Sequence, residues 1–170
     1  MIRNATTADA VSIHSLICIY AEKGQMLARS YEEIESRALD FLVYVEDDQV
    51  VGACSLKFGW NNMVEIRSLA VDPRYYRRGI GTALVSRCVE LATQGPEEKI
   101  FVFTYIPTLF EKLGFYRISK DELPMKVWND CKACLHRDYC DEIALIRALP
   151  KPVDYPLQTM GDSTTLSIPV

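Results

Sequence analysis

The chain has 170 residues, of which 49% are apolar and 25% charged, and these values are ordinary for one globular domain with a buried core. A net charge of −4 argues against a general nucleic-acid binder and against docking on an anionic membrane surface. No apolar run approaches the ~18 residues of a membrane span, and the first residues lack the layout of a signal peptide. We therefore expect a cytoplasmic protein whose cysteines are reduced.

The first half of the sequence predicts one strand, two helices and then three strands. Apolar residues from Ala10 recur at helical spacing, and Gly24 is a natural stop. Ser30 precedes Glu33 by the interval of a capping box, which predicts the start of the second helix. Runs of β-branched and aromatic residues between short polar turns predict the strands. The strands are predicted at residues 2–5, 41–46, 50–58 and 64–71, and the second helix at 31–39.

The second half predicts two more helices, three more strands and a tail. An amphipathic helix is predicted over residues 80–92 and a short one over 107–113. The strands are predicted at residues 100–104, 115–119 and 142–147. Residues 150–170 contain several prolines and have weak periodicity, so we expect a domain of residues 1–149 and a tail outside its core.

A basic turn with two glycines, here called the anion loop, joins the predicted strand 64–71 to the predicted helix 80–92. It consists of Arg77, Arg78, Gly79, Ile80, Gly81 and Thr82. The first amides of a helix point outward without helical partners, and the helix dipole adds positive potential there. Glycines also let phosphate oxygens approach the backbone. The pattern indicates a pyrophosphate site, although a solvated turn with a helix cap is the alternative; it matches neither a Walker A loop nor a full dinucleotide fingerprint.

Two runs of sequence carry a family resemblance. Residues 66–73 with 78–84 read IRSLAVDP and RGIGTAL, and residues 110–115 read FEKLGF. Both resemble landmarks of the GCN5-related N-acetyltransferase (GNAT) superfamily, and the resemblance extends over about residues 2–149. It implies an α+β fold, with a mixed and mostly antiparallel central sheet that contains a splayed strand pair and is flanked by helices. It also implies acetyl-CoA as the co-substrate.

The resemblance assigns the coenzyme to the anion loop and to the strand before it. In the superfamily, unpaired backbone of that strand pairs with the pantetheine arm, and the loop amides bind the pyrophosphate. Tyr76 is a departure, because relatives carry Gln or Arg there, so we expect the amides with Arg77 and Arg78 to bind the phosphates. The implied cofactor-binding residues are Leu69, Ala70, Val71, Arg77, Arg78, Gly79, Ile80, Gly81, Thr82 and Phe110.

A narrower resemblance concerns the acceptor. Many superfamily members have a tyrosine that serves as the general acid where this chain has Phe110. N-acetylglutamate synthases resemble this chain at that position. The short, single-domain enzymes of that branch are the most similar. The resemblance implies acetyl transfer to the α-amine of L-glutamate, the first step of arginine biosynthesis. The departing thiolate would be protonated by water, Tyr105 or Ser68. The implied catalytic residues are Glu65, as base, and Tyr105, and the implied substrate-binding residues are Arg29, Ser30 and Arg67.

Each assignment has a plainer alternative. Arg29 and Ser30 also suit a loop and a helix cap, Arg67 a surface ion pair with Glu65, and Tyr105 a wall residue. The acceptor could instead be another amino acid, a polyamine or a protein amine. A coenzyme A-binding regulatory module without turnover is the third alternative. The expected partner is a small-molecule substrate, and a homodimer is a common outcome in this superfamily.

The cysteines raise the question of a metal. Cys131, Cys134 and Cys140, with His136 among them, are the residue types of a zinc site. A second well-spaced pair is missing, so reduced cysteines in a loop are favoured and no metal is expected, with zinc and a disulfide or redox role as alternatives. Three further cysteines fall on apolar faces and are predicted in the core: Cys18, Cys54 and Cys88.

Overall fold

A computed structural model describes residues 1–59, 61–123 and 140–150, and the predicted fold class is confirmed. Among these residues one mixed sheet has the strand order β1-β2-β3-β4-β5-β7-β6, and every neighbouring pair is antiparallel except β4 with β5. The elements are β1 (Ile2–Asn4), α1 (Ala10–Ala21), α2 (Tyr31–Ser36), β2 (Phe41–Glu46), β3 (Gln49–Lys57), β4 (Met63–Val71), α3 (Ile80–Thr93), β5 (Lys99–Thr104), α4 (Pro107–Glu111), β6 (Tyr116–Ile118) and β7 (Ile143–Ala148).

The second helix is shorter than predicted. It ends at Ser36 instead of residue 39, because Arg37 leaves helical geometry with φ −119° and ψ 22°. A separate 3₁₀ turn, Ala38–Asp40, then leads directly into β2. The side chain of Ala38 is buried there, with 2% of its surface exposed. The turn therefore redirects the chain into the sheet. The burial of Ala38 outweighs the helix propensity of residues 37–39.

The last helix, α4, also ends earlier than predicted, at Glu111. The amide of Phe115 donates to the Phe110 carbonyl at 3.1 Å, and the amide of Gly114 donates to the Glu111 carbonyl at 3.1 Å. Gly114 has a φ of +81°, so this is a Schellman ending, which favours glycine at that position. Phe115 then packs into the core before β6 begins.

The central strands β4 and β5 separate along their length. Their parallel pairing runs from Met63 with Lys99 to Ile66 with Val102, whereas β4 continues to Val71. The splayed strand pair predicted from the resemblance is therefore present. It leaves a wedge beside the second half of β4.

A bulge in β4 changes which side chains face which layer. The register with β3 passes from Ala53 opposite Ala70 to Ser55 opposite Arg67, so β4 carries one extra residue, and Ser68 has a left-handed φ of +51°. Since side chains alternate along a strand, the extra residue reverses the alternation. Before the bulge Val64 and Ile66 face the core under α3, and after it Leu69 and Val71 do so.

Two apolar layers cover the sheet. The helices α3 and α4 pack on one face, and α1 and α2 pack on the other. Leu149 belongs to the first layer, and its amide donates to the Glu98 carbonyl at 2.8 Å. Residues 151–170, which make up most of the predicted tail, lie outside the described residues. None of the helices in the described ranges has the length and apolar composition needed to cross a membrane.

Candidate active site

A cavity of about 630 Å³ opens where β4 and β5 diverge. Its walls are residues 20, 25–27, 29, 65–69, 71, 75–77, 79, 81–82, 102–106, 109–110 and 142. Most of the predicted site residues line it, namely Arg29, Glu65, Arg67, Leu69, Val71, Arg77, Gly79, Gly81, Thr82, Tyr105 and Phe110. The fold thus joins the anion loop and the predicted acceptor residues in one space.

Four predicted site residues do not line this cavity. Ala70 and Ile80 are buried in the two core layers, with 1% and 2% of their surface exposed. Ser30 accepts a hydrogen bond from the Glu33 amide at 3.1 Å and thereby caps α2, as its alternative interpretation predicted. Arg78 lies on the outside of the anion loop.

The anion loop has the backbone shape of an anion site. Arg77 has a φ of +62°, and Gly79, which caps α3, has a φ of +77°. Helix α3 begins at Ile80, so the amides of its first turn point towards the loop and the cavity. A side chain at position 81 would crowd the wall, because a Cβ on Gly81 would lie 3.3 Å from Leu109 Cδ1. The loop therefore combines three features of an anion site. Backbone amides face the cavity, the glycines let an anion approach the backbone closely, and Arg77 adds positive charge.

Arg78 supports the loop from outside. Its guanidinium forms an ion pair with Glu46 of β2 at 2.7 Å and lies over the Tyr75 ring at 4.9 Å from the centroid. These contacts hold the loop against the sheet. Arg78 consequently shapes the loop, and its charge contributes to the potential of the site from a distance.

Two tyrosine hydroxyls meet at the edge of β4. Tyr20, in the last turn of α1, donates a hydrogen bond to the Val71 carbonyl, and its oxygen lies 2.7 Å from the hydroxyl oxygen of Tyr76. Burial, followed by the hydrogen bond with Tyr76, raises the pKa of Tyr20. The Tyr20 hydroxyl therefore stays protonated, and both hydroxyls stand beside the splayed half of the strand.

The charged residues of the acceptor side are mostly withdrawn from solvent. Glu65 and Arg67 form an ion pair on β4 with Oε2 and Nε 3.8 Å apart, and only 10% and 11% of their side-chain surfaces are exposed. The alternative of a surface ion pair is therefore wrong about its location. Arg29, with 16% of its side chain exposed, is paired with Glu33 at 2.5 Å. The cavity thus places two guanidinium groups and one carboxylate along one wall.

Tyr105 and Glu142 line the cavity directly after β5 and directly before β7. Tyr105 is 37% exposed, and partial burial raises its pKa, as does the hydrogen bond from its hydroxyl to Asp141 and the charge of Glu142. Tyr105 is therefore neutral at any working pH. The ring also forms part of the wall, as its alternative interpretation predicted.

Phe110 closes the cavity beside the anion loop. It is buried, with 1% of its surface exposed, and packs edge-to-face on Phe115 with ring centroids 5.4 Å apart. An unsubstituted ring at this position supplies an apolar wall and no proton.

Sequence patterns did not identify Tyr20 and Glu142 as cavity residues. Tyr20 fits the apolar spacing of the first helix, so the pattern predicts only that it packs inward. Glu142 falls at the predicted start of the last strand, and the structure begins that strand one residue later. Both residues carry a polar group and lie at the end of a helix or just before a strand. Functional side chains are common at such positions, and this is the sequence signal that could have identified them.

The core positions predicted for Cys54 and Cys88 are confirmed, and their sulfur atoms lie 3.6 Å apart. Cys18 is half-buried, with its sulfur 3.6 Å from Nε2 of His14. The possible zinc site cannot be placed, because residues 131 and 134 lie outside the described ranges. The third member, Cys140, lies with its sulfur 3.9 Å from a Glu142 carboxylate oxygen. Residues 1–59, 61–123 and 140–150 contain no group of three metal-ligating side chains.

Comparisons with known proteins agree on one family. The profile of the acetyltransferase (GNAT) family matches residues 10–117. An uncharacterized N-acetyltransferase of Chlorobaculum tepidum is 38% identical over 148 residues, which cover 87% of this chain and 96% of that protein. The amino-acid acetyltransferase of Mycobacterium tuberculosis is 30% identical over 133 residues, covering 76% of each chain.

A solved structure with the same architecture carries ligands. N-acetylglutamate synthase from Neisseria gonorrhoeae, complexed with coenzyme A and N-acetyl-glutamate, superimposes with a TM-score of 0.80 at 27% identity. The match covers 89% of this chain but 35% of the longer neisserial chain. The similarity is therefore to one portion of that enzyme.

Proposed function

The chain belongs to the acetyltransferase (GNAT) family, and we propose that it transfers the acetyl group of acetyl-CoA to the α-amine of L-glutamate. The observation that carries this proposal is the single cavity in which the anion loop meets the buried Glu65–Arg67 pair and Arg29. One end of that cavity suits a pyrophosphate, and the other suits a zwitterion with an additional carboxylate. The C. tepidum and M. tuberculosis relatives, both named as acetyltransferases, support the reaction class.

The coenzyme half of the proposal rests on the anion loop and β4. The first amides of α3, with Arg77, would bind the pyrophosphate. The splayed half of β4 presents backbone around Leu69 and Val71 to the wedge, where the amides of a pantetheine arm could pair with it as a strand would. The neisserial enzyme of the same fold binds coenzyme A, which supports this placement.

The acceptor half rests on the charges of the opposite wall. Arg29 and Arg67 can each bind a carboxylate through two parallel hydrogen bonds. The ammonium group of an amino acid would then lie near the Glu65 carboxylate, which can remove its proton directly or through one water. The amine must be neutral to attack, so a buried carboxylate at this point serves the first step of the reaction.

The chemistry then needs an oxyanion site and a proton for the leaving group. The amine nitrogen attacks the thioester carbon, and a backbone amide near Leu69 or Val71 would hold the oxyanion. The carbon–sulfur bond breaks next, the nitrogen loses its second proton to form the amide, and the coenzyme A thiolate takes up a proton, so that one of the two protons lost by the amine is released to solvent through Glu65. Phe110 cannot supply it, so Tyr105 is assigned as the donor, with water and Ser68 as the competing sources. Tyr105 would have to turn its hydroxyl away from Asp141 to reach the sulfur.

A thiol-release assay with purified protein, acetyl-CoA and a panel of amines tests the proposal. We expect release with L-glutamate and N-acetylglutamate as product. Release with another amine but none with glutamate would overturn the acceptor assignment, and coenzyme A binding without release for any amine would favour a regulatory module.

A cationic acceptor is the second candidate, and it is favoured by one observation. Three carboxylates, those of Glu65, Asp141 and Glu142, lie in or beside the cavity. A polyamine or a lysine side chain would gain favourable charge interactions with this group of carboxylates. The same panel should therefore include spermidine and a lysine-containing peptide.

The Arg29→Ala variant tests the placement of the acceptor. The KM for glutamate should rise at least about tenfold, the scale of one lost charge-assisted pair, while the KM for acetyl-CoA changes little. Arg87→Ala is the matched control, because Arg87 forms an exposed pair with Glu90 on α3. Equal increases in both KM values would show that Arg29 does not face the acceptor.

A further inference from the structure

The end of β4 presents a backbone carbonyl to the coenzyme side of the cavity. The amide of Asp72 donates to the Val51 carbonyl of β3 at 2.9 Å. Backbone groups of successive residues in an antiparallel strand point in opposite directions, so the N–H and C=O of Val71 point away from β3. β5 no longer pairs with β4 at this level, because their pairing ends at Ile66 and Val102. The Val71 carbonyl therefore faces the wedge between the two strands.

Two tyrosine hydroxyls extend this carbonyl into a hydrogen-bonded chain with a fixed direction. The Tyr20 hydroxyl donates to the Val71 carbonyl, which can only accept. A phenol has a single hydrogen, so the 2.7 Å contact between the Tyr20 and Tyr76 oxygens is a hydrogen bond that Tyr76 donates. The hydrogen of Tyr76 is thereby used, whereas its oxygen keeps the capacity to accept. The chain ends in a hydrogen-bond acceptor.

This acceptor lies where a ligand can reach it. Tyr20 and Tyr76 both line the large cavity, and 51% of the surface of Tyr76 is exposed. Tyr76 directly precedes Arg77 of the anion loop, at the position where the chain departs from the superfamily pattern. The Gln or Arg of relatives would offer N–H donors, whereas Tyr76 offers an oxygen because its hydrogen is already taken. The departure therefore changes the chemistry of the group beside the loop.

The position of the loop indicates which group of the coenzyme meets this oxygen. With the pyrophosphate on the first amides of α3, the arm would run from the loop past the end of β4. The first polar group along the arm after the phosphate ester is the hydroxyl of its pantoyl unit. This hydroxyl can donate a hydrogen bond, and the amide N–H groups follow farther along the arm towards the thioester.

We propose that the Tyr76 hydroxyl oxygen accepts a hydrogen bond from the pantoyl hydroxyl of coenzyme A and that Tyr20 orients Tyr76 for this contact. This inference rests on the proposed function and deepens it, because it assigns one side chain to one group of the coenzyme. Tyr76 is then a binding residue. Tyr20 is a positioning residue, which acts through Tyr76 and through the Val71 carbonyl.

A coenzyme A analogue with hydrogen in place of the pantoyl hydroxyl tests the contact against coenzyme A itself. For wild type, isothermal titration calorimetry should give the analogue a Kd about three to ten times that of coenzyme A, the scale of one neutral hydrogen bond. In Tyr76→Phe the two Kd values should agree within about twofold, because the acceptor is gone. Tyr116→Phe, at an exposed position on β6, should keep the wild-type ratio.

The positioning role of Tyr20 has its own signature. Tyr20→Phe keeps the Tyr76 oxygen, so it should weaken the binding of coenzyme A while the analogue still binds more weakly than coenzyme A. A ratio that disappears in Tyr20→Phe but persists in Tyr76→Phe would place the contact on Tyr20 and overturn the assignment. Equal Kd values for the two ligands in wild type would overturn it as well.

These binding measurements involve no acceptor amine, so they are independent of the thiol-release assay. Wild-type protein that shows the expected ratio of Kd values but releases no thiol with glutamate would overturn the proposed acceptor and leave this contact standing. Wild-type protein that does not bind coenzyme A would overturn the proposed function and the contact together.

Discussion

The hydroxyl of Tyr20 donates a hydrogen bond to the backbone carbonyl of Val71, which lies 51 residues later in the chain. The bond ties the end of α1 to the part of β4 that has separated from β5. Tyr76 joins this contact through its own hydroxyl, 2.7 Å from that of Tyr20. The three residues therefore connect a helix, the splayed strand and the segment that leads into the anion loop.

Loss of either hydroxyl should loosen the coenzyme site. We expect Tyr20→Phe and Tyr76→Phe each to raise the Kd for coenzyme A roughly three- to tenfold, the scale of one neutral hydrogen bond. Because the two hydroxyls act as one unit, the double variant should cost little more than either single variant. Isothermal titration calorimetry measures all three, and Tyr116→Phe, at an exposed position on β6, is the control.

The ligand adenosine 3′,5′-diphosphate, which lacks the pantetheine arm, shows how the tyrosines act. If they shape the anion loop, its Kd should rise as much as that of coenzyme A. If only coenzyme A is affected, the hydroxyls contact the arm instead. Fully additive effects of the two substitutions would contradict the idea of a single unit.

The anion loop could be predicted from sequence because its signal is local. A strand, a basic turn with Gly79 and Gly81, and an amphipathic helix follow one another within about one supersecondary unit, so adjacent residues determine the geometry. The tyrosine contact could not be predicted in this way, because nothing near Tyr20 in sequence indicates which strand its hydroxyl meets. Its apolar spacing predicts burial of the ring, and the tertiary fold decides the partner of the oxygen.

The bulge at Ser68 is a second limit of sequence patterns. The alternation of apolar and polar residues along residues 64–71 predicts a strand, but that prediction assumes a constant period of two. One inserted residue reverses the period, and it is this reversal that allows both Ile66 and Leu69 to face the core under α3. The burial of the Glu65–Arg67 pair likewise depends on the tertiary fold around β4, which the charges themselves do not reveal. Local patterns therefore predict the coenzyme side better than the acceptor side.

Replacing the proposed base should slow the chemical step. In Glu65→Gln we expect kcat to fall by about two to three orders of magnitude, the usual contribution of a positioned base, while the KM for acetyl-CoA changes little. The residual rate should rise steeply with pH, because the variant relies on amine that has already lost its proton in solution. Glu90→Gln, at an exposed position on α3, is the control. A kcat equal to wild type would remove Glu65 from the mechanism.

Replacing two glycines in or near the anion loop by alanine should destabilise the fold by different amounts. A Cβ on Gly52 would lie 2.9 Å from Ile80 Cγ2 and 3.1 Å from Leu84 Cδ1, so Gly52→Ala should push α3 away from β3 and lower the free energy of unfolding by about 1 to 3 kcal/mol. Gly79 has open space around it but a φ of +77°, so Gly79→Ala should cost about 1 kcal/mol through the backbone alone. Urea unfolding measures both, and a smaller loss for Gly52→Ala than for Gly79→Ala would contradict this account.

The salt bridge near the start of the chain should make the free energy of unfolding depend on pH in the acidic range. Arg3 binds Asp9 through two hydrogen bonds of 2.7 and 2.8 Å, and Thr6 donates to the same carboxylate from its amide at 2.8 Å. The Arg3 hydrogen bonds, with those of Thr6, lower the pKa of Asp9 from its usual 3.8 to about 2. Since the folded value is the lower one, the charged carboxylate stabilises the fold above pH 3.8, and that contribution disappears as the pH falls through about 2.

Asp9→Asn should therefore lower the free energy of unfolding by about 1 kcal/mol at pH 7. The difference from wild type should shrink between pH 4 and pH 2, because the wild-type carboxylate becomes protonated there and loses the same interaction. Urea titrations at several pH values measure this directly. Glu90→Gln removes an exposed pair and should change stability by less than about 0.5 kcal/mol throughout. A difference between Asp9→Asn and wild type that stays constant down to pH 2 would mean that packing of the side chain, and not its charge, supplies the stability.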